Sequence, residues 1–498
     1  MRNRQQMTVE DFTTPFGNKL NAKNRWVKMA DVIPWDMIED IYAASFKDDK
    51  RDGRPPIPAR QAFGALYIKE IENLPQDRTM LHITENMYMQ YFLGLTEYNP
   101  EPLFDSSMLT HFSKRFGKEG LATINEEIYR RTRAQEEETK DDDPPDDNGG
   151  ENKGKLILDA SVAPADIRYP TDLSLTNEAR EYTEGLIEYI WEKTDRKGHK
   201  TLYSRKRMRK SYLKISKQRN PRWKKVREAV REQLECVEKN LETLDNHLAQ
   251  IGTDSLSDKQ KERLRTIRIF AEQQRWHYEN PKASVPDRIV SLLQPHIRPM
   301  VRGKAGKEVE FGQKIAVAVV DGFTFIEEQS WNNFSEGKTF IDSVERYYER
   351  HGFYPEAVLA DKTYRTRENI NYCKEKGIRL SGPRLGRPKA AEIEAGKVQA
   401  YQDNCERNMV EGRFGLGKRR FGLDLILSRL QETSETEVAM NIICMNVAHL
   451  LRVLLCTLRQ RLQKAFLFRY FTSFTKSAVF QQTLYTCLTP QCFLMGHQ

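Results

Sequence analysis

The chain has 498 residues, with 80 Lys and Arg against 71 Asp and Glu, a formal net charge of +9. That length supports two to four domains with a sizeable core. Seven cysteines with no C-x-x-C pair exclude a disulfide framework and a zinc ribbon, and fit a reducing compartment.

Residues 1–133 read as an all-α N-terminal domain. Ala62, Phe63, Leu66, Ile68 and Ile71 are spaced for an amphipathic helix. Asp77 is placed to cap a second helix through Leu81, Ile83, Met87, Tyr88 and Phe92, stopping at Gly94. Ser106 or Ser107 opens a third, with Met108, Leu109, Phe112 and Phe116, ending at Gly117. Short helices joined by polar turns suit a helix-turn-helix DNA reader. They suit an ordinary helical bundle too, and by pattern alone the bundle is the better match. The first residues, MRNRQQMTVEDF, lack the apolar run of a signal peptide. Residues 134–155 combine acidic repulsion with Pro-Pro and Gly-Gly, and are expected to be a disordered linker.

The next segment, 156–170, opens with the strand Leu156–Leu158 and then Asp159. Residues 171–308 form an insertion. Its stretch Arg196–Arg231 holds sixteen Lys or Arg and one acid, Glu228, which points to a polyanion and nucleic acid first. Tyr203, Tyr212 and Trp223 lie among these cations, a mix suited to backbone contact with occasional stacking. A solvated helix face is the alternative; the charge imbalance favours DNA and singles out Arg205, Lys206, Arg207, Arg209 and Lys210. Val230, Leu234, Val237, Leu241, Leu244, Leu248 and Ile251 alternate steps of four and three, a heptad seam. With a turn at Gly252–Ser257 and apolar Leu264, Ile267, Phe270 and Ala271 beyond, the seam predicts an inserted α-helical hairpin, although a dimer seam has the same pattern.

Residues 309–430 return to a sheet. Lys314–Val320 and Phe323–Glu328 flank Asp321-Gly322, a hairpin turn signal. A helix at 337–351 leads to strand Ala357–Leu359 and Asp361. A helix at 366–376, a strand at 378–380, a basic Gly/Pro loop at 382–389 and a helix at 398–420 follow. This order makes an α/β domain with a mixed sheet. In the last segment, 431–498, Val438–Leu458 is strongly apolar. It contains Asn441, Asn446, His449 and Arg452, which favours a buried helix over a membrane span. The aromatic tail from Phe466 suggests no function.

Phosphodiester cleavage needs an activated oxygen nucleophile and a stabilised leaving oxygen, and two divalent ions about 3.5–4 Å apart supply both. Mg²⁺ takes oxygen ligands, so such sites need acids at the ends of apolar strands. Asp159 and Asp361 each follow an apolar strand, and Glu411 lies on the helix after the last strand. Arg407 precedes Glu411 by four residues and Lys418 follows it by seven; at 100° per residue all three fall within about 40–60° of one face. Singly, each has a plainer reading: a strand-end Asp as turn starter, an exposed i,i+4 pair on the helix.

In combination they resemble the DDE transposases of bacterial insertion sequences. DASVAPADIRYPTDLSLTNEARE resembles the segment around that family's first catalytic Asp, and ADKTYRTRENINYCKEKGIRLSGPRLGRP that around its second. RNMVEGRFGLGKRRFGL resembles the signature Tyr-x2-Arg-x3-Glu-x6-Lys, with Arg407, Glu411 and Lys418 in place and Asn404 at the Tyr position. The helical unit resembles the N-terminal domain of insertion-sequence-five-like members, and the likeness covers about 30–455. It implies an α/β RNase H-like catalytic domain, with Asp159, Asp361 and Glu411 holding two Mg²⁺ or Mn²⁺ ions and Arg407 and Lys418 on DNA phosphates. It implies cleavage at the terminal inverted repeats that frees a 3′-hydroxyl, followed by attack of that hydroxyl on target DNA. It also implies a homo-oligomer, no membrane, and a bacterial cytoplasmic, nucleoid-associated setting. A nuclease of the same fold that does not join strands, and a catalytically silent DNA-binding derivative, are the other readings.

Among the remaining features, Asp321 is explained by its turn, and Asp166 and Asp172 are expected in a loop. Trp331 fits core packing better than base stacking. The nine histidines show no metal-ligand spacing.

Overall fold

The computed structural model describes residues 12–14, 17–46, 55–137, 152–193, 205–304, 307–382 and 390–474. Most of the expected linker, the start of the basic stretch with Tyr203, most of the Gly/Pro loop and the end of the aromatic tail lie outside the described residues.

Six helices open the chain: α1 (Arg25–Val32), α2 (Trp35–Ala44), α3 (Ala59–Ile71), α4 (Gln76–Glu85), α5 (Met87–Phe92) and α6 (Met108–Glu137). Asn24 and Asn86 cap α1 and α5 by accepting backbone N–H bonds. The α3 helix is central and buried all round, which is why its apolar residues spread beyond one stripe. A Cβ at Gly64 of α3 would stand 2.5 Å from Leu93 Cδ2, so a larger residue there would displace the Leu93 side chain. Gly117, expected to end the third helix, bends it instead: it adopts φ 60°, ψ 174° and α6 resumes to Glu137.

A six-stranded mixed sheet follows, and its first strand is β1 (Lys155–Pro164). Between β1 and the rest lie α7 (Asp172–Lys193), α8 (Arg205–Ser216), α9 (Trp223–Ile251) and α10 (Asp258–Glu279). The seam of α9 is spent inside the chain. Leu234, Val237, Leu244 and Leu248 pack against Ala179, Leu186, Ile187 and Ile190 of α7 and Leu264, Ile267 and Phe270 of α10. The hairpin of α9 and α10 is therefore present, with α7 packed against it as a third helix. At its centre Arg180 is sealed, donating to Gln233, Glu184 and Asn177, and Gln233 in turn donates to the Met208 carbonyl and pins α8. Asp172, expected in a loop, begins α7, where its carboxylate suits the helix N-terminus and pairs with Arg288.

The sheet continues with β2 (Arg298–Lys304), β3 (Lys307–Val320) and β4 (Phe323–Ser330), then α11 (Phe340–His351), β5 (Ala357–Leu359), α12 (Arg367–Glu375), β6 (Arg379–Leu380), α13 (Ala390–Arg420) and α14 (Gln431–Phe474). The end of the stretch assigned to the insertion, as β2, pairs with β3. The long β3 takes β1 antiparallel on one edge and β2 and β4 antiparallel on the other; β5 pairs parallel with β1, and β6 with β5. At Gly312 both edges of β3 are occupied, by Pro164 and Arg298, and a Cβ there would stand 2.1 Å from the Ala163 carbonyl oxygen. Asp321 (φ 51°) and Gly322 (φ 81°) form the tight β3–β4 turn. The Asp321 carboxylate accepts from Tyr129 and Arg133. Trp331 is buried and donates to Glu435.

One core joins the N-terminal helices, the sheet and α14. Its seam is polar at one point. Asn446 of α14 accepts from Thr324 N (2.9 Å) and donates to the Thr324 carbonyl (2.7 Å) and to Asn125 Oδ1 of α6 (2.8 Å), so the outer edge of β4 is closed by side chains. By length and composition the segment Gln431–Thr457 of α14 could cross a membrane, yet 61% of its apolar window is buried against the rest of the protein.

Candidate active site

The parallel pairing of β1 with β5 runs Lys155–Ala357, Leu156–Val358, Ile157–Leu359. Asp159 and Asp361 each come two residues after the last pair, Asp159 still within β1 and Asp361 past the end of β5. Asp159 is not at a strand end, as expected, but inside β1, paired with Val317 of β3. The apolar run breaks at Asp159 while the strand continues, because β3 supplies a partner as far as Pro164. On its other edge β5 has already ended at Leu359. Asp361 is exposed and caps a short turn, accepting from Lys362 N at 2.6 Å.

Helix α13 lies beside β1 and β5. Lys155 bonds Glu406 at 2.8 Å and Arg379 of β6 bonds the buried Asp403 at 2.7 Å, which fixes the middle of the helix over these strands. Arg407 is thereby brought to Asp159. Burial pushes the Asp159 carboxyl above its ordinary value; its bond from Ala160 N and the Arg407 guanidinium oppose that shift, and Glu336 and Asp361 add to it. Glu411, one turn beyond Arg407, is exposed and paired with it at 3.4 Å. Lys418 is half-buried in the last turn of α13.

The structure thus brings together Asp159, Asp361 and Arg407, with Glu411 beside Arg407. It adds Glu336, which no local pattern marks. Glu336 opens the turn after β4, is bonded to Lys314 of β3 at 3.0 Å, and accepts from Thr363 Oγ1 at 3.1 Å, two residues past Asp361. Beneath them Tyr364 is buried. Burial, then Glu336, Asp159 and Asp361, drive its pKa upward, so the phenol stays neutral. The donor chemistry is all oxygen, which fits Mg²⁺ or Mn²⁺ and not a thiolate-seeking ion. As the side chains stand, no three His, Cys, Asp or Glu among the described residues converge tightly enough to hold a metal ion.

The basic residues singled out in the insertion lie on α8. Met208 and Ile215 are its buried face, and Lys206, Arg207, Arg209 and Lys210 are exposed. Arg205 differs: it pairs with Glu188 at 2.9 Å and Glu184 at 3.4 Å. Trp223, at the start of α9, is 66% exposed.

Comparison with known proteins bears on the class. Residues 358–448, from β5 through α13 into α14, match the family described as transposase DDE domain. Residues 15–115 match a transposase domain family. Together the two matches support a DDE transposase of the insertion-sequence type. Among curated proteins it is similar to a Rhizobium meliloti protein described as "Uncharacterized protein ORF8 in nfe locus", 26% identical over 156 residues, 31% of this chain and 69% of that protein. No solved structure matches the chain.

Proposed function

We propose that this transposase cuts DNA at the ends of an insertion sequence and joins the freed 3′ ends to target DNA, with Asp159, Asp361 and Glu411 as its metal-holding carboxylates. The observation that supports the reading is the parallel β1–β5 pairing, whose last pair, Ile157–Leu359, stands two residues before Asp159 and Asp361. The strand order β4-β3-β1-β5-β6, antiparallel then parallel, with helices after β5 and β6, supports an RNase H-like catalytic fold. One or two Mg²⁺ or Mn²⁺ ions held there would stabilise charge on the attacking and leaving oxygens.

The protein's own groups have separable tasks. Asp159 from β1 and Asp361 from the turn after β5 would hold the ion, and Glu411 of α13 would complete the set. Arg407 sits where a guanidinium can bind a phosphate by two parallel bonds, and Lys418 adds a point charge further along the helix. The exposed face of α8 binds the DNA backbone, and the N-terminal helices serve as a DNA-binding domain. The working form is a homo-oligomer pairing two DNA ends in the cytoplasm.

The test is cleavage and joining of DNA carrying the element's own terminal repeats, in Mg²⁺, by the full chain and by Asp361→Asn and Glu411→Gln. Both variants are expected to lose cleavage at least a thousandfold while still binding DNA. Retained cleavage by Asp361→Asn would refute the assignment. Cutting without joining by the wild type would make the protein a nuclease, and binding alone a silent derivative.

A further inference from the structure

The corner between α8 and α9 is firm beneath and bare above. Ile215 of α8 packs with Ala229 and Val230 of α9, with Val226 and Tyr212 against them. Arg227 is tied down beside this cluster. It donates to the Tyr278 carbonyl of α10 at 2.6 Å, and its guanidinium lies 4.3 Å from the Tyr278 ring centroid. The same guanidinium stands 5.3 Å from the centroid of the Trp223 ring, one helical turn earlier. The indole is thus backed by an anchored cation, yet it is 66% exposed.

The surface around the indole carries one sign of charge. Lys214, Lys217, Arg219, Arg222, Lys224 and Lys225 are all exposed, and no Asp or Glu occurs from Lys214 to Lys225. Among the described residues none of the six is in an ion pair. The first acid beyond them, Glu228, is engaged by Arg231 at 3.7 Å. A plain structural role for Trp223 would be to cover apolar surface, which a ring mostly in water does poorly. A single exposed aromatic is ordinary on a protein surface. One backed by a held guanidinium and ringed by unpaired cations has the make-up of a stacking platform, where the cations follow phosphates and the ring takes a base. A base inside a duplex has both faces covered by its neighbours, so the ring can take only an unpaired one. An anionic lipid surface would also attract the cations, but it calls for a broader apolar face than Trp223 and the 36% exposed Leu213 present.

We propose that the α8–α9 corner binds single-stranded DNA, with Trp223 stacking on an unpaired base and Arg219, Arg222, Lys224 and Lys225 on the flanking phosphates. The proposal rests on the reading of α8 as a DNA-binding element and gives that region a strand preference. The exposed face of α8 meets the backbone of either form; the corner favours strands whose bases are free, such as ends opened by cleavage.

The experiment is titration of the full chain with a labelled oligo-dT strand and with a duplex of the same length, read by fluorescence anisotropy over a range of salt concentrations. Wild type, Trp223→Ala, Trp223→Phe and a variant with Lys206, Arg207, Arg209 and Lys210 all changed to Gln are compared, with thermal unfolding as the fold control. Trp223→Ala is expected to weaken oligo-dT binding about five- to 150-fold, with the salt slope kept and duplex binding nearly unchanged. Trp223→Phe, which keeps a ring, is expected to retain most of the affinity. Wild-type affinity of Trp223→Ala for oligo-dT, with binding weakened in the α8 variant, overturns the stacking role and leaves α8 as a backbone-binding element. Equal losses on strand and duplex, or no binding of oligo-dT by the wild type, overturn the proposal too. Wild-type affinity in both variants overturns the DNA-binding reading of α8 and this proposal with it. A Trp223→Ala chain that loses binding to phosphatidylserine vesicles but not to oligo-dT makes the corner a membrane contact instead. Should Trp223→Ala fail to fold, Trp223→Leu decides on the same readouts, since it keeps an apolar side chain and removes the ring.

Discussion

Asn446→Ala tests the polar lock between α6, β4 and α14. Asn446 is fully buried, and the change removes its three hydrogen bonds. The Thr324 carbonyl keeps a partner, because Asn125 also donates to it at 3.1 Å. Two groups do not: Thr324 N and Asn125 Oδ1 are left buried without a bond. Each such group costs roughly 1–3 kcal/mol, and the missing amide leaves a small void, so the destabilisation is about 3–5 kcal/mol. Urea unfolding followed by tryptophan fluorescence and far-ultraviolet circular dichroism measures it. The two probes are expected to stay coincident, since the helical region and the sheet share one core. A destabilisation below about 1 kcal/mol would refute the claim that these groups are sealed from water. Two separate transitions in the wild type would refute the shared core.

Three other outcomes are expected. Replacing Lys206, Arg207, Arg209 and Lys210 by Gln weakens DNA binding and reduces the log–log salt slope by about 0.9 for each phosphate that is no longer neutralised; an unchanged slope removes α8 from the interface. Arg205→Gln has a smaller effect on that slope and a larger one on stability, because Arg205 is tied to Glu184 and Glu188. Asp159→Asn abolishes cleavage but stabilises the fold at neutral pH. Burial raises the folded-state pKa of Asp159, so its contribution to stability is present below the ordinary carboxylate value and lost as pH rises through the raised one. The variant's advantage in melting temperature therefore grows as pH rises above the ordinary carboxylate value, and no such growth would contradict the burial of this carboxylate.

The parts of the fold legible in the sequence are those specified by local pattern. The β-branched run before Asp321-Gly322 marks the β3–β4 hairpin, and Ala357–Leu359 marks a strand with Asp361 just past it. The alternation of three and four marks α9, but not its partner: whether a seam closes within a chain or between chains depends on α7, whose apolar residues are interrupted by the buried Arg180. An acid breaks an apolar run, so Asp159 reads as the end of its strand; β3 carries the strand on. The kink at Gly117 reads as a stop for a similar reason, since a glycine with positive φ serves both purposes. Glu336 is invisible in the sequence, because Lys314, Glu336 and Thr363 come together only through the crossing of β3 with two turns. Glu411 shows the reverse case, conspicuous by spacing and exposed in the structure.

The shared core changes what the acidic stretch between α6 and β1 can be. Its two flanks, at Glu137 and Asn152, belong to elements that pack into one body, with Tyr129 of α6 bonded to the β3–β4 turn and Asn152 bonded to the Lys376 carbonyl. A segment joining two points of one body does not govern how far apart they move. Proteolysis within it should therefore be silent in size-exclusion chromatography and visible only on a denaturing gel, the two fragments remaining together as a non-covalent pair.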